Sequence, residues 1–184
     1  MKKHHPSHLI SNGAGNTVQL ATLPTESSIA SAFKDADLVD SFSITPHNDV
    51  PYDIDLIARI IFGRPAWWVR GLLAIRDNIV ARFGLKTTDE LRCKARAEGN
   101  KSIDFFPVLA RNANELVLGE NDRHLDFKIS IMLRMPVNRS DFEVLVTTVV
   151  HCHNNLGRLY LALIKPFHVL VVRSSLKRVG RSDP

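Results

Sequence analysis

The sequence predicts an α+β domain in which a curved antiparallel sheet wraps one long C-terminal helix. Three observations predict it: a short alternating run followed by two helical stripes, a set of longer alternating runs after residue 102, and a final apolar segment of helical length. With 184 residues, 45% hydrophobic and 23% charged, the chain has the composition of one globular domain, which excludes a disordered or fibrous chain.

Asp40 to Thr45 alternates Phe42 and Ile44 with Ser41, Ser43 and Thr45, the pattern of a half-buried strand, and Pro46 closes it. Asp53 and Asp55 favour the start of a first helix carrying Ile54, Ile57 and Ile61, which Gly63 and Pro65 end. Trp68, Leu72, Ile75, Ile79 and Phe83 then share one face of a second helix that stops at Gly84. Arg76 falls inside that stripe and calls for an acidic partner. A short exposed helix is expected between Lys86 and Gly99, with Thr88 as its cap.

Ile103 to Leu109 and Glu115 to Gly119 are short strands joined through Arg111 to Asn114. In Arg123 to Arg134, Leu125, Phe127, Ile129, Ile131 and Leu133 form an apolar face. In Asp141 to His153 that face is Phe142, Val144, Val146, Val150 and Cys152, interrupted by Thr148. Met135 to Ser140 joins these two strands as a hairpin. Directly opposed residues share a face, so odd positions of the first pair with even positions of the second. A turn centred in that hairpin places Arg134 near Asp141 and His124 opposite His151, outside the apolar interior, with Asp126 and His153 nearby.

The last helix is expected from about Asn154 to Val179. Its core stripe is read as Leu156, Leu159, Tyr160, Leu163, Phe167, Leu170 and Val171, with Pro166 bending it. Leu161, Val169 and Val172 fall on its back and motivate a homodimer, or a cover from the N-terminal extension. Residues 1 to about 35 have no sustained period and are expected to lie outside the core, with a domain over residues 36–179 and a tail at 180–184.

This order of elements coincides with a resemblance carried by FGRPAWWVRGLLAIRD at Phe62 to Asp77, DRHLDF at Asp122 to Phe127 and HCHNNLGRLYLALIKPFH at His151 to His168. The chain resembles a bacterial domain-of-unknown-function family of the START-like, polyketide-cyclase-like (SRPBCC) superfamily, over about residues 38 to 178. The resemblance implies the helix-grip fold and a cavity between sheet and helix. Members of that superfamily bind lipids, sterols or polyketides, and some are cyclases or hydratases; the resemblance assigns no catalytic residue here.

The expected function is the holding of an apolar or amphipathic small molecule between Leu125, Phe127, Ile129, Val144, Val146 and the helix residues Tyr160, Leu163 and Phe167. Tyr160 supplies a polar handle, and Arg123, at the strand end, a partner for a ligand carboxylate. The alternatives are an enzyme of cyclase or hydratase type, with His168 as its acid or base, and a dimeric interaction protein whose core is filled.

Other constellations carry less. His124, His151, His153 and Asp126 share an outward face, but with Lys128 and Glu143 beside them a solvated cluster is preferred to a zinc site. His4, His5 and His8 read as an ordinary tail. Cys152, on an apolar strand face, reads as a small buried hydrophobe rather than a nucleophile for His168, and Cys93 is weaker still. Trp67 is expected at a cavity mouth or an interface, and Arg64, Arg70 and Arg82 on a solvated helix face rather than against lipid headgroups.

The net charge of +5 is spread too widely for nucleic-acid binding, and no metal or cofactor is expected. Two cysteines and no apolar leader make the reducing cytoplasm the expected compartment. Arg158, Lys165, Pro166 and His168 interrupt the apolar run from Leu156 to Val172, so neither a membrane span nor a membrane-surface role is expected.

Overall fold

A computed structural model of the chain describes residues 17–47, 49–63, 65–81, 102–104, 106–136 and 141–180, without the side chains of 76 and 78–81. The elements in chain order are β1 (Gln19–Leu20), a 3-10 turn (Ala30–Phe33), β2 (Leu38–Ile44), α1 (Ile54–Phe62) and α2 (Trp67–Ala81). Then follow β3 (Ser102–Ile103), β4 (Phe106–Arg111), β5 (Glu115–Asn121), β6 (Leu125–Arg134), β7 (Glu143–Cys152) and α3 (Asn155–Leu176). The seven strands form one antiparallel sheet in the order β1-β2-β7-β6-β5-β4-β3. This is the expected mixed α+β architecture of helix-grip type, with two helices after the first long strand and the C-terminal helix packed on the sheet. The expected helix between Lys86 and Gly99, Cys93, the three N-terminal histidines, Arg64 and Arg82, and the side chains of Arg76, Ile79 and Phe83 lie outside the described residues.

Asp53 caps α1 by accepting from the amides of Asp55 and Leu56, and Ile54, Ile57, Ala58 and Ile61 are buried as its 3.6-residue period requires. Asn154 caps α3 in the same way, through the amide of Gly157 at 3.0 Å. The inner face of the sheet carries two apolar clusters. One gathers Phe42, Ile44, Leu116, Leu118, Ile131, Leu133, Val144 and Val146 with α1, Leu176 and Val179. The other, nearer the start of α3, holds Leu38, Leu125, Val150 and Leu161.

Four expectations are corrected. First, α3 turns its other side to the sheet. Leu161 is 5% exposed, and Val169 and Val172 pack against the main core. Leu159, Leu163, Phe167 and Leu170, read as core, are 65%, 48%, 44% and 57% exposed. The dimer argument built on Leu161, Val169 and Val172 falls with it, because those residues are satisfied within the chain. Pro166 and Ala162 both lie on the exposed side, so the carbonyl deprived of its donor is open to water and the helix runs through.

Second, the β6–β7 register is displaced by two residues: Asp126 faces His151, Leu125 faces Cys152 and Arg134 faces Glu143. A two-residue slip leaves every side chain on its own face, so the hydrophobic pattern cannot distinguish the two registers. The observed one gains the Arg134–Glu143 ion pair at 2.8 Å. His124 lies level with His153, whose amide donates to the His124 carbonyl at 2.9 Å.

Third, residues 17–36 belong to the folded body. Val18 joins the main core, β1 pairs with β2, and Ile29, Ala32, Phe33 and Ala36 cover Val39, Val117 and Val149 on the outer face. Buried Glu115 secures this segment by accepting from Ser27 Oγ and Ser130 Oγ, both at 2.5 Å, and from the Ser28 amide at 2.9 Å. Burial, the largest single influence on this carboxyl, pushes its pKa up, but these donors together outweigh it and hold the group below its ordinary value. Fourth, α2 buries Val69 while Ile75 is exposed, so its packed face is rotated from the stripe through Trp68, Leu72 and Ile75.

Candidate functional site

Alternation along the strands sets which side chains look toward α3. On β2 these are Leu38, Asp40, Phe42 and Ile44, opposed in turn to Val150, Thr148, Val146 and Val144 of β7. On β6 and β5 they are Phe127, Ile129 and Ile131, opposed to Glu120, Leu118 and Leu116. Asp40 and Thr148 therefore form a polar step between the apolar residues of β2 and β7, at the level of Ile129 and between the two clusters, and Glu120 of β5 is a second buried polar group on this face.

His168 of α3 meets this step. Its Nε2 lies 3.0 Å from Asp40 Oδ2 and 3.2 Å from Oδ1, and both side chains are largely buried. The contact follows from the face that α3 presents: at 100° per residue, His168 falls between Leu161 and Ile164 on the packed side. The parity of β2 was the cue that sequence reasoning passed over, since an aspartate in phase with Phe42 and Ile44 must find a partner inside. Thr148 Oγ1, next to it in register, is buried with no hydrogen-bond partner.

The sequence-predicted ligand residues are brought together only in part. Phe127 and Ile129 lie on the inner face and remain half-buried, as do Phe106 and Val108 of β4, with Phe106 and Phe127 edge to face at 5.9 Å. Tyr160 is half-buried against the smaller cluster, which contains Leu125. Val144 and Val146 are enclosed in the main core beside α1. Leu163 and Phe167 are on the outside of α3, and Arg123 is exposed before β6.

The histidines at the far end of the sheet are each engaged separately. His151 Nε2 lies 2.8 Å from the Ala32 carbonyl, His153 Nε2 is 3.0 Å from Asp126 Oδ1, and His124 Nδ1 is 3.0 Å from Asn154 Nδ2. Among the described residues no group of three or more His, Cys, Asp or Glu side chains is placed to hold a metal ion. Burial, helped by the nearby Asp37 carboxylate, pushes the Cys152 thiol pKa up, which disfavours the thiolate. Asp37 accepts from the Cys152 amide at 2.6 Å, the main influence holding its pKa below the usual carboxylate range, with Arg158 adding to it at 3.5 Å.

Fold and site together define a sheet-and-helix domain with a partly open apolar inner face and a largely buried Asp–His pair. The chain belongs to the family described as a protein of unknown function (DUF2867), whose model matches residues 32–175. No curated protein and no solved structure matches the chain.

Proposed function

We propose that this domain binds an apolar or amphipathic small molecule on the inner face of the sheet beside α3, in the manner of the START-like, polyketide-cyclase-like domains it resembles. One observation carries the reading. Phe106, Val108, Phe127 and Ile129 point inward yet remain partly open, whereas Val39, Val117 and Val149 on the opposite face are covered by residues 29–36. Inward apolar area that the fold leaves open is the usual lining of a ligand site. Tyr160 and the Asp40–His168 pair supply the polar edge that orients an amphipathic molecule.

Binding is tested with the neutral fluorophore N-phenyl-1-naphthylamine. The protein is expected to enhance its emission saturably, and Phe127→Ser to weaken binding about tenfold or more, given a loss of about 2 kcal/mol for a well-covered aromatic contact. No enhancement, or equal affinity in the variant, sinks the reading.

The Asp40–His168 pair favours a second reading, a cyclase- or hydratase-type enzyme. With Asp40 engaging Nε2, the carboxylate orients the ring and leaves Nδ1 as the nitrogen for proton transfer, the arrangement a general base requires. If so, Asp40→Asn reduces turnover of a bound carbonyl compound while its binding persists.

A further inference from the structure

We propose that α3 docks the domain on an anionic lipid surface through its outer apolar ridge. The ridge consists of Leu159, Leu163, Phe167 and Leu170, all strongly exposed. At 100° and 1.5 Å per residue these four side chains fall within about 80° of the helix circumference and extend about 17 Å along it. Among the described residues α3 is the helix long and apolar enough to cross a membrane by length and composition. Its inner side, however, is committed to the sheet through Leu161, Val169, Val172 and Leu176, so it can lie on a bilayer but not span one.

Charge selects the occupant. From Val144 to Ser182 the chain contains no Asp or Glu, while Arg158, Lys165, Arg173, Lys177, Arg178 and Arg181 lie in the same stretch. Arg158 is partnered by Asp37, Arg173 by the Val18 carbonyl, and Arg178 by the Ile61 carbonyl. Lys177, in line with Leu159 at the C-terminal end of the ridge, and Arg173, about 40° to one side of that line, are exposed, whereas Lys165 lies about 120° round the helix from Leu159. An apolar ridge edged by cations that, among the described residues, have no acidic partner complements anionic headgroups above an acyl layer. A second copy docked ridge to ridge would instead bring two acid-free cationic helices together. The inference stands independently of small-molecule binding, because it uses the opposite side of α3.

The test is co-sedimentation of the full chain with vesicles of phosphatidylcholine alone and of phosphatidylcholine mixed with phosphatidylglycerol. Preferential pelleting with the anionic vesicles is expected, weakened by added salt. Lys177→Gln is expected to reduce the vesicle partition coefficient roughly fivefold. Leu163→Ser with Phe167→Ser is expected to abolish pelleting while far-UV circular dichroism stays unchanged, since both side chains lie outside the core. Three results overturn the proposal: wild-type protein left in the supernatant with both vesicles, ridge variants that pellet like wild type, or a dimer seen by light scattering that the ridge substitutions dissociate.

Discussion

Leu161→Ala and Leu163→Ala, two residues apart on α3, are expected to differ several-fold in their effect on stability. Both replace the same side chain in the same helix, so intrinsic helix propensity cancels between them. Leu161 is 5% exposed and packs among Leu38, Leu125 and Val150. Its truncation forfeits about 2 to 3 kcal/mol of transfer free energy. The strand residues around it close the gap only partly, and the cavity brings the total to about 3 to 4 kcal/mol. Leu163 is 48% exposed, and about half of its apolar surface already meets water. Its truncation is expected to cost less than about 1 kcal/mol. Urea unfolding followed by circular dichroism reads both values, and for a domain of this size the Leu161 variant should melt roughly 6 to 16 °C below wild type. If Leu163→Ala costs as much as Leu161→Ala, or more, α3 presents the opposite face to the sheet, and the inner face, the Asp40–His168 pair and the outer ridge all have to be reassigned.

Further outcomes follow from individual contacts. Gly157→Ala should destabilise by about 1 to 3 kcal/mol although alanine favours helices, because a Cβ there runs into the carbonyl oxygen of His124, which is backbone and cannot move aside; a stabilised variant would show that the first turn of α3 does not rest there. Thr148→Val should raise stability by about 1 kcal/mol, since the buried hydroxyl has no partner to lose; a loss of similar size in urea titration would mean that the hydroxyl is hydrogen-bonded in solution. Glu115 contributes a pH dependence of known sign. Its folded pKa lies below the unfolded one, so on acidification the unfolded chain takes up the proton first. The contribution is complete above the unfolded value of about 4.3 and is lost as the pH falls through the folded value. Glu115→Gln should flatten that acid limb in denaturation curves, and an unchanged limb would contradict the role of the Glu115 carboxylate in holding Ser27 and Ser28.

Much of the fold was legible locally. Alternation in β2, β6 and β7 assigned inner and outer faces correctly, because a residue on the wrong side would bury a charge such as Lys128 or Asp126. The Asp53 and Asn154 caps were equally legible, since each depends on amides within three residues. The face of α3 was not. Apolar residues occur all round this helix, and the richer stripe predicts the wrong buried face, whereas the poorer stripe, with His168 in its midst, is what the sheet accepts.

Caps and strand faces are set by interactions a few residues apart, and these the amino-acid order specified, whereas β1 and the division of the expected strand Ile103 to Leu109 between β3 and β4 are not legible in it. The β6–β7 register, the side of α3 that is buried, the enclosure of residues 17–36 and the meeting of Asp40 with His168 all depend on groups from distant parts of the chain. Registers two residues apart, or helix faces of similar hydrophobicity, are nearly degenerate in local pattern. The choice between them is made by a few long-range contacts, among them Arg134 with Glu143, Glu115 with Ser27 and Ser28, and the aspartate of β2 with the histidine of α3.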